Sequence, residues 1–327
     1  MNAAELHRDA VVVDTHNDTI LAIASGKRRF AERSTEGHID LPRLREGGVD
    51  VQVFAMYIQH EYKPDHALAR ALHLIDAYYA MVERTGGAMC HCNSVAEVEA
   101  ANARGQIAAI LSIEGGEPVE QDLGLCRMLY RLGVRALGLV WNERNFIADG
   151  VGELRTGSGL TNFGVSLIQE MNRIGMLVDV SHLNEKGFWD VAEVSTKPFV
   201  ASHSNARAVC DHPRNLWNDQ IRALARCGGC MGMNFAPAFV DRDWAQGKDT
   251  LDRVIDHVDH ICGLVGPDHV GLGTDFDGIP RAPTGLEDVS KLPALTEGLL
   301  RRNYSEENVR KFLGGNYLRV FRAVWGG

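Results

Sequence analysis

Six histidine and acidic side chains each stand at the end of an apolar, strand-like segment, although they lie far apart in the sequence. They are His16, Asp18, Glu114, His182, His203 and Asp275. Imidazole and carboxylate groups without a thiolate suit borderline divalent cations, most of all Zn²⁺, and also Mn²⁺, Co²⁺ or Fe²⁺. Taken alone, each of these residues could equally cap a helix or be a solvated polar group. A fold that brings them together would make them a candidate metal site.

The number of these side chains is larger than a single catalytic zinc ion requires, because such a site keeps one coordination position open. Two divalent metal ions that share a bridging carboxylate would use five of them, and such a pair polarises a carbonyl and makes water nucleophilic. Asp275 is then the remaining residue. It is placed to take a proton from the nucleophile and to pass it to the leaving amine. The residue types therefore point to metal-assisted hydrolysis of an amide.

The segment VVVDTHNDT at 11–19 shows how such residues are positioned. Its three valines are apolar without alternation, which is typical of a strand that is buried on both faces of a parallel sheet. His16 and Asp18 follow, two residues apart, so in an extended chain they would point to the same side. The alternative is a simple turn in which the polar residues cap the next helix.

Strand-like segments of this kind alternate with segments of helical period along the whole chain. They lie at 11–19, 49–58, 107–116, 134–142, 175–182, 198–204, 230–235 and 269–275. This pattern predicts an α/β fold, a (β/α)8 TIM-type barrel, as one domain over residues 1–327. An open doubly wound sheet has a similar alternation, but eight strands favour closure. We expect 284–327 to form additional C-terminal helices on the outside, and the strand ends to meet at one mouth.

Composition narrows the class of partner. The 327 residues are 45% hydrophobic and 24% charged, as in an ordinary globular protein. The formal net charge of −9 disfavours nucleic acid and anionic membranes as partners. The sequence has neither a signal-peptide pattern nor an apolar run long enough to span a membrane. We therefore expect a cytoplasmic protein without a membrane partner.

The cysteines fit the same compartment. The chain has seven, an odd number scattered along the sequence, which is typical of reduced thiols. The patterns CHC at 90–92 and CGGC at 227–230 could bind a metal ion or cycle redox, but neither has the second matching pair that a zinc site needs. We assign no function to either pattern.

Several long motifs occur in one order along nearly the whole chain. Among them are DTHND (14–18), LSIEGGEP (111–118), MLVDVSHLNEKGFWDV (176–191), PFVASHSNARAVCDHPRNLWNDQI (198–221) and VGLGTDFDG (270–278). The sequence thus resembles the renal (membrane) dipeptidase family of zinc metallopeptidases, within the amidohydrolase-like superfamily. The resemblance implies a bacterial-type enzyme that hydrolyses dipeptides, including L,D-dipeptides, with two zinc ions. A homodimer is also expected.

The resemblance also implies a role for each candidate residue. His16 and Asp18 correspond to ligands of the first zinc ion, Glu114 to the bridging glutamate, and His182 and His203 to ligands of the second. Asp275 corresponds to the catalytic acid and base. Arg214, in the motif HPRN, corresponds to the arginine that holds the terminal carboxylate of the substrate, which suits its planar, always-charged guanidinium.

One position departs from the family pattern. Vertebrate members have a histidine after the fourth strand, which stabilises the tetrahedral intermediate, whereas this chain has Trp141 followed by Asn142. Asn142 could bind the oxyanion and Trp141 could contact substrate, but a purely packing role is equally open for the tryptophan. The following loop, 142–159, offers Arg144, Asp149 and Glu153 to a charged substrate group, unless these side chains are simply solvated.

Three functions stay open on the sequence alone. The first is a dinuclear dipeptidase. The second is an amidohydrolase that acts on another carboxylate-bearing amide, such as an N-acyl amino acid or a lactam. The third is a metal-binding barrel without peptidase turnover, against which the complete ligand set and Asp275 argue. Arg214 favours a substrate with a free carboxylate.

Overall fold

The computed structural model describes residues 2–326, and its centre is a sheet of parallel strands. The strands are β1 (Val13–Asp14), β2 (Val51–Tyr57), β3 (Met89–His91), β4 (Ile107–Glu114), β5 (Val134–Gly138), β6 (Leu177–Asp179), β7 (Val200–Ala201), β8 (Cys230–Met233) and β9 (Val270–Leu272). Neighbours pair in the order β2-β1-β9-β8-β7-β6-β5-β4, and β2 pairs again with β4. This second pairing closes a ring of eight strands, which confirms the predicted barrel.

One strand lies outside the predicted set of eight. β3 pairs with the first half of β4, from Met89 opposite Ile107 to His91 opposite Ala109, whereas β5 takes over the same edge from Leu111 onwards. β3 therefore extends the sheet beside the ring without entering it. This additional strand was not predicted, because its three residues, MCH, carry no apolar run.

Helices connect the strands and cover the outside of the barrel. The α-helices are α1 (Ala3–Asp9), α2 (Thr19–Ala24), α3 (Leu41–Glu46), α4 (Ala67–Arg84), α5 (Val95–Ala103), α6 (Leu123–Arg131), α7 (Asn162–Ile174), α8 (Glu185–Val194), α9 (Asn218–Arg226), α10 (Pro237–Val240), α11 (Leu251–Val265), α12 (Pro293–Arg301), α13 (Glu306–Arg310) and α14 (Asn316–Trp325). Side-chain caps fix several starts: Thr161 accepts from the amide of Gly164, and Thr250 from that of Arg253. Within residues 2–326, no helix has both the length and the apolar character needed to cross a membrane.

The last helix has a place that the sequence did not predict. Tyr317 and Phe321 of α14 belong to the apolar cluster inside the barrel, together with Val13, Val51 and other strand residues. The Nε1 of Trp325 donates to the carbonyl of residue 135, at the amino end of β5, over 3.1 Å. The segment 284–327 was expected to pack only on the outside, but within its described part α14 closes the lower end of the barrel.

Candidate active site

All six histidine and acidic residues singled out in the sequence meet at the carboxyl end of the barrel. Glu114 is the last residue of β4, and the other five lie shortly after β1, β6, β7 and β9. Two of them have left-handed backbone, with φ of 70° at His182 and 63° at Asp275. Non-glycine residues rarely adopt this conformation, and where they do it often serves a functional site. Here it turns both side chains into the mouth.

The first half of the cluster surrounds His16. Its Nε2 lies 3.5 Å from Oε2 of Glu114, 3.7 Å from Oδ2 of Asp18 and 3.9 Å from Oδ1 of Asp275. Gly278 borders this group, where an added Cβ would fall 2.1 Å from the Asp18 carboxylate and 2.6 Å from that of Asp275. Only a residue without a side chain leaves the space beside these two carboxylates open.

The second half of the cluster contains two histidines. Nε2 of His182 lies 2.8 Å from Oε1 of Glu114, and Nε2 of His203 lies 3.5 Å from the same oxygen. The two Nε2 atoms are 3.0 Å apart. Glu114 therefore presents one carboxylate oxygen to each half of the cluster, which is the placement that a bridging ligand requires.

Outer hydrogen bonds fix how the two histidine rings are turned. Nδ1 of His182 is 2.8 Å from Oδ1 of Asn142, so this nitrogen carries the proton. Nδ1 of His203 is 2.7 Å from Oγ of Ser202, and that hydroxyl donates to Oδ2 of the buried Asp179 over 2.5 Å. Both rings thus direct an unprotonated Nε2 at the same point. Metal-binding histidines are oriented by partners of this kind.

Burial controls the charge of the imidazoles. It lowers the pKa of His182 to about 3 and that of His203 well below the usual imidazole value. Burial acts in the same direction on His16, but the carboxylates of Glu114 and Asp18 outweigh it and hold the pKa of His16 well above its usual value. The two neutral rings have the free lone pairs that metal ligation needs. A cation between the halves would supply the positive charge that the proton on His16 otherwise supplies.

The residues present fit divalent metal ions. Nε2 of His16 and Oδ1 of Asp18 are buried polar atoms without a hydrogen-bond partner, and such atoms are uncommon in folded proteins unless a ligand satisfies them. The donor set of three imidazoles and carboxylate oxygens, without a thiolate, suits zinc and its neighbours. Groups of residues 2–326 close enough to hold a metal ion are His16 with Glu114 and His203, and His16 with Asp18 and Asp275.

Asp275 is held by a residue that the sequence did not reveal. The side-chain amide of Asn234, which is fully buried just after β8, donates to Oδ2 of Asp275 over 2.9 Å. Oδ1 faces His16 instead. Burial raises the pKa of Asp275 to about 7, so the carboxyl is able both to accept and to release a proton near neutrality.

Arg214 is buried beside this cluster without an acidic partner. Its Nη1 donates to Oγ of Ser204 over 3.4 Å and its Nη2 to the carbonyl of His203 over 3.2 Å. Nε has no partner, and among the described residues no carboxylate lies within ion-pair distance of the guanidinium. Burial lowers the pKa of Arg214 to about 10, which leaves it charged at neutral pH. A buried cation of this kind is ready to bind an anion.

Trp141 and Asn142 both contact His182, although neither was expected to do so. The Trp141 ring stacks on the imidazole with a centroid distance of 5.6 Å and an interplanar angle of 29°. The ammonium of Lys63 lies 5.7 Å from the Trp141 ring centre. Both residues also line the cleft over the metal-ligand cluster. Both residues therefore support the His182 ring, and contact of either residue with the substrate stays a prediction.

The loop after β5 is fastened by its own charges. Arg144 forms a two-point ion pair with Asp149, which is buried and also accepts from the Thr156 hydroxyl. Those two residues hold the loop, whereas Glu153 lines a cleft beside the site.

The neutral residues Asn234 and Ser202 were missed because asparagine and serine after a strand are common in any protein. Their significance depends on contacts that only the fold creates.

Two clefts open at this mouth. The central cleft occupies about 1040 Å³ and contains Asp18, Glu114, His182 and Asp275 in its lining. The side cleft occupies about 1230 Å³ and opens beyond Arg214, between the loop after β5 and the start of α8. His182 and Arg214 line both, so the two clefts are continuous.

Comparison with known proteins identifies the family of this chain. The model of the membrane dipeptidase family, peptidase family M19, matches residues 1–325. The crystal structure of dipeptidase AC, a metallopeptidase of family M19, is 35% identical with a TM-score of 0.91, covering 97% of this chain and 99% of that one.

A metallopeptidase from Rhodobacter sphaeroides, bound to a phosphinate mimic of L-Ala-D-Ala, is 34% identical with a TM-score of 0.90, covering 97% of this chain and 100% of that one. A protein of Klebsiella pneumoniae described as uncharacterized, in the pqqA 5′ region, is 39% identical over 251 residues, which are 75% of this chain and 92% of that protein. The chain belongs to the membrane dipeptidase family, peptidase family M19, and is a metal-dependent dipeptidase.

Proposed function

We propose that this dipeptidase uses two divalent metal ions, most simply zinc, and that it cleaves dipeptides with a C-terminal residue of either L or D configuration. The observation that carries the proposal is the split arrangement around Glu114, with His16 at one carboxylate oxygen and both His182 and His203 at the other. His16 and Asp18 would hold one ion, His182 and His203 the other, and Glu114 would bridge them. Bound ions supply polarisation of the carbonyl and a nucleophilic water at neutral pH.

The protein's own groups then have distinct tasks. Oδ1 of Asp275 accepts a proton from the attacking water and delivers it to the nitrogen of the breaking peptide bond, so that the amine leaves neutral. Asn234 keeps Oδ2 occupied and the carboxyl in place. Asn142 and Ser202 hold the imidazoles in orientation. The nearly complete burial of the cluster excludes bulk water, which strengthens each of these electrostatic interactions.

Arg214 sets the substrate class. Its guanidinium would bind the C-terminal carboxylate of a dipeptide, whose peptide bond then lies over the ligand cluster. A tripeptide with its first peptide bond over the cluster would place a neutral amide against this buried cation and leave it unpaired, so release of the N-terminal residue from longer peptides should be disfavoured. The mimic of L-Ala-D-Ala bound by the Rhodobacter sphaeroides relative supports the inclusion of L,D-dipeptides.

The test combines metal analysis with a substrate panel. Protein purified without chelator and reconstituted with zinc should contain two equivalents per chain; one equivalent or fewer would exclude the dinuclear site. Release of amino acids is measured from L-Ala-D-Ala, L-Ala-L-Ala, tri-alanine and N-acetyl-alanine. Cleavage of both dipeptides but not of tri-alanine supports the proposal, whereas preferred cleavage of N-acetyl-alanine would favour an amidohydrolase of another specificity.

We also propose a cytoplasmic homodimer. Seven free cysteines support a reducing compartment, because oxidising compartments favour disulfides. Sedimentation equilibrium measures the oligomeric state, and a monomer at micromolar concentration would contradict the dimer.

A further inference from the structure

We propose that the side cleft binds the side chain of the substrate's C-terminal residue and selects dipeptides in which that side chain is large and apolar or aromatic. This inference rests on the proposed function of Arg214 as the carboxylate partner. It concerns the part of the site that decides which dipeptides are used. The argument depends on which groups line each cleft and on the chemistry of the side-cleft walls.

The residues that line each of the two clefts indicate how a bound dipeptide is oriented. The side chains that act on the peptide bond, Glu114 and Asp275, line the central cleft and not the side cleft. Ser204, which accepts from Arg214, lines only the side cleft. The residue whose carboxylate binds Arg214 therefore lies at the entrance of the side cleft, and its side chain has this space beside it.

One part of the side-cleft wall is apolar. Its lining includes Leu154, Val180, Leu183, Trp189, Leu216 and Trp217. Leu154 is 84% exposed and Trp217 is 42% exposed, which places both among the large apolar side chains of residues 2–326 that lie open to solvent. Exposed apolar side chains gathered in a concave surface commonly mark a binding site.

Apart from Arg214, the cations at this cleft are paired within the chain. Lys186 pairs with Asp190. Arg207 donates to Oδ1 of Asp211 over 2.8 Å and stacks on the Trp217 ring at 4.1 Å. Neither is free to attract an acidic substrate side chain, and the lining carboxylates of Glu153 and Glu185 oppose one. Apolar burial therefore remains the main source of selectivity.

The experiment measures a preference ratio rather than activity alone. The ratio compares kcat/KM for L-Ala-D-Phe with that for L-Ala-D-Ala, and it should favour phenylalanine by roughly tenfold in the unaltered protein. Leu154→Ser and Trp217→Ala should each lower this ratio several-fold. Phe146→Ser is the matched control, because Phe146 is 41% exposed on the same loop and lines neither cleft. It should keep the original ratio.

A binding measurement separates this inference from the proposed reaction. Calorimetric titration of the zinc-loaded protein with D-phenylalanine and D-alanine measures the affinity of the cleft for each amino acid without any reaction. If no dipeptide is cleaved, that result contradicts only the proposed function, and the affinities still test the inference. Weaker binding of D-phenylalanine to Leu154→Ser, with unchanged binding of D-alanine, supports the inference. An unchanged preference in both side-cleft variants, or tighter binding of D-arginine or D-glutamate than of D-phenylalanine, would overturn it.

Discussion

The amide of Asn234 donates to one oxygen of Asp275 and leaves the other oxygen facing His16. The oxygen that accepts from the amide is the better acceptor when it is the carbonyl-type or charged oxygen of the carboxyl group. This contact therefore favours a proton of Asp275 on Oδ1, the atom that faces the cluster. We expect Asn234 to act as a positioning residue that favours proton transfer from this atom.

Substitution of Asp275 tests the proton-transfer role itself. Asp275→Asn keeps the shape of the side chain but removes its capacity to accept a proton. We expect kcat for L-Ala-D-Ala to fall by a factor of roughly 10² to 10⁴, the usual range for loss of a general acid or base. The metal content, measured in parallel by mass spectrometry, should stay near its original value. A variant with full kcat would show that the role is assigned to the wrong residue.

Substitution of Asn234 tests the positioning role. Asn234→Ala should lower kcat by roughly 10- to 100-fold, because the carboxyl loses its fixed orientation, while KM changes little. Asn234→Asp would place a second carboxyl against Asp275 and should be at least as inactive. Metal content and circular dichroism identify any variant that fails to fold. Equal loss of kcat and of substrate affinity would indicate a general structural role instead.

Arg214 should lower the stability of the metal-free protein and provide specificity for a substrate with a free carboxylate. Arg214→Met should reduce kcat/KM for the free dipeptide by roughly 100-fold, the loss expected for a charge-assisted pair. The amidated dipeptide L-Ala-D-Ala-NH₂ should be a poor substrate of both proteins. The same variant removes a buried charge without an acidic partner, so its free energy of unfolding in the metal-free state should rise by about 1 kcal/mol. Equal cleavage of acid and amide by the unaltered protein would contradict the carboxylate contact.

Asn142 should act on metal affinity through His182. Asn142→Ala removes the acceptor that fixes the Nδ1 proton, and metal affinity should fall by roughly 10- to 100-fold at one of the two ions. Competition with a chromogenic chelator measures this change without any substrate. Asn162→Ala, at an exposed position on the first turn of α7, is the matched control and should bind both ions normally. Equal affinities in the two variants would exclude the orienting role.

His257 should make stability sensitive to mild acid. Its Nδ1 accepts from the amide of Ala206 and its Nε2 donates to the carbonyl of Val240, so the buried ring is neutral. Burial lowers the pKa of His257 to about 4. In the unfolded chain this imidazole binds a proton near pH 6.5, whereas in the folded protein it does so only near pH 4. The contribution of His257 to the free energy of unfolding is therefore complete above pH 6.5 and is lost as the pH falls from 6.5 to 4.

His257→Gln can supply one acceptor and one donor without titrating. The free energy of unfolding, measured with urea at pH 7.5 and at pH 5, should therefore fall less in the variant than in the unaltered protein. The slope of this free energy against pH should differ by up to the value for one bound proton. An identical pH dependence would show that His257 is already accessible to protons in the folded state.

Most of the barrel and the six-residue cluster could be predicted from the sequence, because each depends on a repeated local pattern. Apolar segments such as IAAILSIE are long enough to indicate a strand, and the polar residue after each one is easily seen. β3 was missed because it is short and depends on packing and on its pairing with β4. Pairing partners of this kind are not visible in local composition.

The supporting residues could not be predicted for a different reason. Asn234 and Asp275 are brought together by neighbouring strands, and their side-chain contact follows from the left-handed backbone at Asp275. Aspartate adopts left-handed backbone more often than most residues, but no sequence pattern shows which aspartate does so. The position of α14 likewise depends on the shape of the finished barrel, since its apolar stripe would suit an outer surface equally well.

The closure of the barrel by α14 has a consequence for biosynthesis. During synthesis, the segment 316–325 emerges from the ribosome after the described strands and after all residues of the six-residue cluster. Until then, the interior residues around Val13 and Val51 lack the aromatic rings of Tyr317 and Phe321 that complete their packing. Domains generally fold as units during synthesis. Until this segment has emerged, the nascent chain should therefore carry an unsealed barrel that exposes apolar surface to chaperones, and a tight metal centre should form only afterwards.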